Sequence, residues 1–428
     1  MEKKRTFVPC FNMMWLYTFL VLIAQVVVRV LGLFNPKLKA FIQGRDQLKN
    51  ELKSVSKNER WIWFHAASLG EFEQGLPIMQ AIKNKYPDYR LVVTFFSPSG
   101  YQIRKNHPLP DAVHYLPWDT PWDVRRFLNT YQPEMAFLVK YEFWPNLLDS
   151  LYARQIPTFL VSGLFRPSQA FFKWYGGFFR KRLRTFTQFF VQTPASEQLL
   201  RNIGIQNVRC SGDTRYDRVQ ATVDRFEPFE GFEAFTQGNR VLVAGSCWPP
   251  EEALMFRFIE EHKPNLKWII APHRLDAASL NTLEAAMPKP CVRFSKRGQA
   301  NLHEAKSILV DTMGYLSRLY AYGNMAIVGG GYGTAGLHNI LEPAAFGLPV
   351  IIGPNHQKFP EAAALIEAGG CFEAPDYEAF AASLNRWVSN EALCQQDGMN
   401  SRNFIINHQG ATAKVMTYLE FFLTQITH

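Results

Sequence analysis

The sequence has no CxxC pair and no Cys/His cluster at metal-ligand spacing; its six cysteines lie at 10, 210, 247, 291, 371 and 394. A structural zinc site is therefore not expected, and the thiols read as reduced groups of a cytoplasmic domain, mostly buried, with disulfides expected only in a secreted one. A GxSxG elbow, an HExxH pair and a GKS/T phosphate loop are also missing. Covalent serine chemistry, zinc hydrolysis and P-loop NTPase activity thus lack their usual signatures. There is no short-period repeat and no low-complexity tract. Charged residues make up 19% and hydrophobic ones 47% of the 428, which argues against disorder, a collagen-like chain and a polytopic membrane protein. At roughly 150 residues per domain, about two to four globular domains are expected.

Positive charge is in excess. Lys plus Arg number 46 against 37 Asp plus Glu, a formal +9, which suggests nucleic acid, anionic lipid or a phosphorylated substrate as partner without choosing among them. The one long apolar run is Phe11 to Val28, preceded by three basic residues within Met1 to Arg5 and followed by Arg29, Lys37, Lys39 and Arg45. Gln25 to Gly32 reads QVVVRVLG, a poor cleavage site for a signal peptide. At about 18 apolar residues the run only just reaches spanning length, and Trp15 and Tyr17 suit an interface. A spanning helix, an interfacial helix on anionic lipid and a buried core helix all stay open.

From Trp61 onward short apolar β-rich runs alternate with helical patterns, the signature of an α/β fold with parallel sheets. Expected strands of the first half are Trp61–Ala67, Arg90–Phe96, Met135–Lys140, Pro157–Val161 and Gln188–Gln192; those of the second are Arg240–Ser246, Lys267–Ala271, Ser307–Val310, Asn324–Gly329 and Pro349–Gly353. Between them Arg218 to Asn239 lacks sheet patterning and carries Pro and Gly. The chain is divided accordingly into an anchor segment (1–44), a first Rossmann-like domain (45–225) and a second (226–428) whose terminal helix crosses back. Two such domains imply a ligand cleft between the carboxyl ends of their strands.

Val328 to Gly347, VGGGYGTAGLHNILEPAAFG, follows a strand and enters a helix. Gly329, Gly330 and Gly331 would let backbone N–H groups approach a phosphate, or would simply serve a tight turn. Gly331, Gly333 and Gly336 satisfy GxGxxG, yet no acidic residue closes a strand about 20 residues on, so a nicotinamide site is not expected. Glu342 reads as a ribose acceptor or as a surface Glu near a helix start. In the first domain, Ser68-Leu69-Gly70-Glu71 closes the first strand and sets Glu71 at the rim, as a general base or as a first-turn helix stabiliser. Lys140 to Asn146, which includes Glu142, reads as a substrate wall or a capped turn. Further polar strand ends are Gly245-Ser246-Cys247, Pro272-His273-Arg274 and Asp311-Thr312-Met313-Gly314. Arg274 can engage two oxygens of a phosphate or carboxylate, or be one member of a surface ion pair. His273 and His338 stand between site and core.

Six segments in order resemble the 3-deoxy-D-manno-octulosonic acid (Kdo) transferases of lipopolysaccharide assembly. They are HAASLGE (His65 to Glu71), LPWDTPWDVRRFL (Leu116 to Leu128), YEFWPN (Tyr141 to Asn146), SGDTRYDRV (Ser211 to Val219), DTMGYL (Asp311 to Leu316) and GLHNILEPAAFGLPVIIGPNHQKFPE (Gly336 to Glu361). The resemblance implies a GT-B glycosyltransferase: two Rossmann-like domains facing a central cleft behind an apolar anchor. It would move Kdo from CMP-Kdo to a lipid A precursor (lipid IVA), with inversion, at the cytoplasmic face of the inner membrane. By position, Glu71 would be the base. Ser246, His273, Arg274, Met313, Gly314, Gly329, Gly330, Gly331, His338, Asn339 and Glu342 would face the donor, with Glu342 on the ribose. Ser68, Gly70, Lys140 and Glu142 would face the acceptor.

The resemblance implies no cofactor and no metal, the donor being CMP-Kdo itself; partners would be lipid A precursor and an anionic membrane surface, not nucleic acid. Lys173, Arg180, Lys181, Arg182 and Arg184, within AFFKWYGGFFRKRLR, would meet anionic groups or form a solvated helix face. This chain departs from the family pattern at Lys140, where Glu is usual, at Tyr315, at Trp248 to Pro250 and in the order His273-Arg274. A GT-B enzyme using a UDP or GDP sugar, and a noncatalytic membrane-bound homologue, are the alternatives.

Overall fold

Each half of the chain folds around a seven-stranded, wholly parallel sheet. The structure, a computed structural model, describes residues 10–52 and 59–426; the basic stretch Met1 to Arg5 lies outside them. The chain divides into one unit of residues 1–218 with 410–428 and a second of 219–409. The division falls inside the helix Thr214–Asp224, a few residues ahead of the boundary expected from the sequence.

The first sheet holds β1 (Arg60–Ala66), β2 (Tyr89–Phe95), β3 (Ala112–Tyr115), β4 (Met135–Val139), β5 (Thr158–Gly163), β6 (Gln188–Val191) and β7 (Val208–Cys210), in the order β3-β2-β1-β4-β5-β6-β7. Helices cover both faces, so interior strands such as β1, WIWFHA after its first residue, are buried throughout. Phe64 and Phe137 stack at 4.6 Å across β1 and β4, worth about 1 kcal/mol beyond their buried area. The C-terminal helix Ala411–Ile426 adds Val415, Met416 and Leu419 to this core. Asp217 secures its start by accepting from the Gly410 and Thr412 N–H groups at 2.7 and 2.6 Å.

Helix α1 (Cys10–Gly32) contains a 20-residue stretch, Met13–Gly32, long and apolar enough to cross a membrane. Trp15, Leu16, Phe19, Leu20, Val26 and Val30 on it are exposed. Two polar contacts fix it to the unit: the Tyr17 hydroxyl donates to Asp119 Oδ2 at 2.8 Å, and Thr18 meets Asn146. Helix α2 (Pro36–Glu51) follows, started by Asn35, which accepts from the Lys37 and Leu38 N–H groups. Arg29 of α1 pairs with Asp46 of α2.

The second sheet holds β8 (Val241–Cys247), β9 (Lys267–Pro272), β10 (Cys291–Arg293), β11 (Ser307–Leu309), β12 (Met325–Val328), β13 (Val350–Ile352) and β14 (Cys371–Glu373), in the order β10-β11-β9-β8-β12-β13-β14. Cys247, Cys371 and Cys394 are buried free thiols of this unit. The order reverses between β1 and β4 in the first sheet and between β8 and β12 in the second, where β10 and β11 are also exchanged at the edge. Those two switch points are where open parallel sheets bind ligands.

Candidate functional site

At the first switch point β1 ends in a turn that starts helix α3 (Leu69–Lys85). Ser68 is its N-cap and Glu71 its third residue, and the two form a capping box. Ser68 Oγ accepts from the Glu71 N–H at 3.4 Å, while Glu71 Oε2 accepts from the N–H groups of Ala67 at 2.5 Å and Ser68 at 3.1 Å. The helix-stabilising reading of Glu71 is thus realised through Oε2; Oε1 accepts no hydrogen bond among the described residues. Burial and then the nearby Glu142 carboxylate push the Glu71 pKa above its ordinary value, against the Ala67 bond, His65 and Lys140. A half-buried carboxylate raised in this way can take a proton from a hydroxyl near neutral pH.

Lys140 and Glu142 follow β4. Lys140 sits at φ +72°, a conformation costly to a non-glycine residue and concentrated at functional sites. Glu142, expected to face the acceptor, is only 7% exposed and its Oε2 is already engaged. His65 Nε2 lies 2.8 Å from it and Trp144 Nε1 donates to it at 2.6 Å. Burial alone would raise its pKa, but the bonds from His65 and Trp144 overcome this and lower it. One oxygen of this carboxylate is thus held by protein donors. Gly70 is exposed, with open space where a Cβ would stand.

At the second switch point the backbone dominates. Ser246, next to last in β8, has φ +54°, and the glycines after β12 pack closely on backbone. A Cβ on Gly329 would overlap Ser246 O, one on Gly330 (φ +90°) would overlap Gly336 O, and one on Gly331 would come within 2.6 Å of Gly353 N. The Gly330 N–H, expected to face phosphate, instead donates to Glu251 Oε1 at 2.8 Å. Glu251 is buried in the first turn of the helix Pro249–His262, where its Oε2 also accepts from the Trp248 N–H. Beside this loop Trp248 stacks on His273 at 4.1 Å, His338 lies 5.0 Å from His273, and the Arg274 guanidinium stands 5.6 Å over the Trp248 ring. Burial and then His273 lower the His338 pKa. Asn339 accepts from the Leu341 N–H and donates to Glu342 Oε1 at 3.1 Å. Ser246, His273, Arg274, His338 and the glycines therefore gather at one place. Met313 is 79% exposed and Gly314 has φ +90°, both on the loop beyond β11.

Residues 42–218 match the family profile described as 3-deoxy-D-manno-octulosonic-acid transferase (kdotransferase). Proteins named 3-deoxy-D-manno-octulosonic acid transferase align over most of the chain. That of Haemophilus influenzae is 26% identical over 96% of this chain and 99% of its own, and that of Bordetella pertussis 29% over 85% and 87%. Over residues 42–218, and in alignments along most of its length, the chain is similar to the Kdo transferases. It is a glycosyltransferase. The fold is shared with Neisseria meningitidis UDP-GlcNAc 2-epimerase (TM-score 0.59, 13% identity, 84% of this chain and 100% of that one) and with Acinetobacter baumannii MurG (TM-score 0.52, 10%, 84% and 99%). Both halves are the Rossmann-like domains of the GT-B class.

Three buried groups near these strand ends were not singled out from the sequence. His65 is wholly buried in β1; its signal is a lone imidazole in an otherwise apolar strand. Glu251 was visible only as one of two Glu after Trp-Pro-Pro. Asp119 is buried, accepts from the Asn146 and Leu147 N–H groups as well as Tyr17, and burial pushes its pKa up to about 6. Among the expected anion contacts, Arg182 is buried and paired with Asp149, and Arg180 donates to the Phe171 and Lys173 carbonyls. Arg180 holds its own segment together, and Arg182 ties that segment to the helix Pro145–Ala153. Trp174, in the same segment, is 91% exposed.

Proposed function

We propose that the enzyme transfers Kdo from CMP-Kdo to a lipid A precursor, lipid IVA, with inversion, and that Glu71 is the general base. The observation that carries the mechanism is the Glu71 carboxylate: one oxygen is held by two backbone N–H groups, the other is open, and burial and Glu142 raise its pKa. Glu71 takes the proton of the acceptor hydroxyl as that oxygen bonds to the anomeric carbon of Kdo. The bond from that carbon to the CMP phosphate breaks, and cytidylate leaves with the electron pair. A phosphate leaving group needs its growing charge stabilised. Arg274, with the polar end of β8 and the Gly-rich loop, serves this in the second unit, and Glu342 holds the ribose. No step of this scheme is routed through a metal.

The exposed apolar face of α1 supports a location on the cytoplasmic face of the inner membrane, where the acylated acceptor resides. Purified protein is incubated with the tetraacylated lipid A precursor and either CMP-Kdo or a UDP or GDP sugar, and products are read by mass spectrometry. Kdo-bearing acceptor from the CMP-Kdo arm alone is expected. Product from a UDP or GDP sugar alone, or none from any donor, sinks the reading.

A further inference from the structure

The polar residues of β1 and β2 form a buried chain that the mechanism above does not use. Trp63 Nε1 donates to Thr94 Oγ1 at 2.9 Å, and that hydroxyl lies 2.9 Å from His65 Nδ1. Thr94 O lies 3.0 Å from the same nitrogen. On the other side of the ring, Nε2 faces Glu142 Oε2 at 2.8 Å, which also takes the Trp144 N–H. Trp63, His65 and Thr94 are fully buried. The Thr94 carbonyl can only accept, so that contact takes a hydrogen from Nδ1, while Nε2 faces Glu142. The ring is thus held from both sides, as buried polar groups require.

We propose that His65 is a positioning residue: Thr94 fixes the orientation of its ring, and it pins Glu142 as a carboxylate whose negative charge acts on Glu71 without touching substrate. This rests on Glu71 being the general base. The register explains why these groups meet. His65 pairs with Thr94 in β2 on one side and Leu138 in β4 on the other, so its ring spans from Thr94 to the residues just beyond β4. The other groups bearing on Glu71 are the Ala67 N–H and the side chains of Lys140 and Tyr141; Arg166 and Arg215 act on Tyr141. A like charge held close makes Glu71 a stronger base. Lys140 opposes it, so the two residues after β4 set the base strength between them.

The test is the pH profile of kcat/KM for the full chain in detergent, with CMP-Kdo and the tetraacylated lipid A precursor. Glu142→Gln removes the negative charge, so the acid limb is expected to move down by roughly one pH unit with a several-fold lower plateau and an unchanged KM for CMP-Kdo. Thr94→Val, which is nearly isosteric and loosens the ring that pins Glu142, is expected to move the limb the same way by less, and Thr94→Ser to restore it. A wild-type acid limb in both Glu142→Gln and Thr94→Val, in a protein whose Glu71→Gln variant is inactive, overturns the His65 proposal and leaves the base in place. Normal turnover in Glu71→Gln instead overturns the reading beneath it.

Discussion

At the switch point of the first sheet the converging groups are side chains, Glu71, Glu142, His65 and Lys140, with donors from β1, the turn after it and the loop after β4. At that of the second they are mainly backbone, with Gly329, Gly330 and Gly331 pressed against Ser246, Gly336 and Gly353, and a Trp-His stack beside them. Each place also holds a non-glycine residue at positive φ next to its central strands, Lys140 in one and Ser246 in the other. Under the proposed function the difference matches two tasks. A base needs a tunable pKa, which side chains and burial provide; a phosphate must come close, which a backbone without Cβ atoms allows.

The sharpest break in this comparison is Glu71→Gln. Loss of a positioned base lowers turnover by about 10²–10⁴-fold, read in a steady-state assay. Because the Glu71 pKa is raised, wild-type kcat/KM is expected to climb with pH through that raised value, and this limb should vanish in the variant. Next comes Gly329→Ala, whose Cβ overlaps the Ser246 carbonyl. A loss of about 3 kcal/mol is expected, from overpacking against backbone that cannot give way, seen as a lower denaturant midpoint. Asp119→Ala strands the Tyr17 hydroxyl and the Asn146 and Leu147 N–H groups. About 2–3 kcal/mol is lost there, measured in the same way. Arg274→Ala weakens CMP binding by roughly tenfold, the scale of one charge-assisted hydrogen bond, measured by calorimetry. The smallest effect belongs to Gly70→Ala. Its Cβ meets nothing within 4 Å, so stability changes by no more than about 0.5 kcal/mol; a loss as large as that of Gly329→Ala would erase the contrast between the two turns.

What the sequence made legible follows the same physics. The strands read from apolar runs are the interior ones of both sheets, buried on both faces. Those not anticipated, β3, β7, β10 and β14, are the outer strands. Two of them, VRC and CVR, carry an arginine and show no apolar run, because an edge needs only a few paired residues. Glu71 was legible because a capping box is local, spanning Ser68 to Glu71. The role of Glu142 was not, since its partner His65 is 77 residues away and parallel pairing alone brings them together. Gly330 was legible as a special turn residue, yet its N–H goes to Glu251, 79 residues distant.

The division of labour between the two units is tested most directly by measuring, on one preparation each of Glu71→Gln and Arg274→Ala, both turnover and the Kd for CMP. The account predicts that Glu71→Gln loses turnover and keeps wild-type CMP affinity, while Arg274→Ala loses affinity. A Glu71→Gln protein that binds CMP as poorly as Arg274→Ala, or that turns over normally, would contradict it.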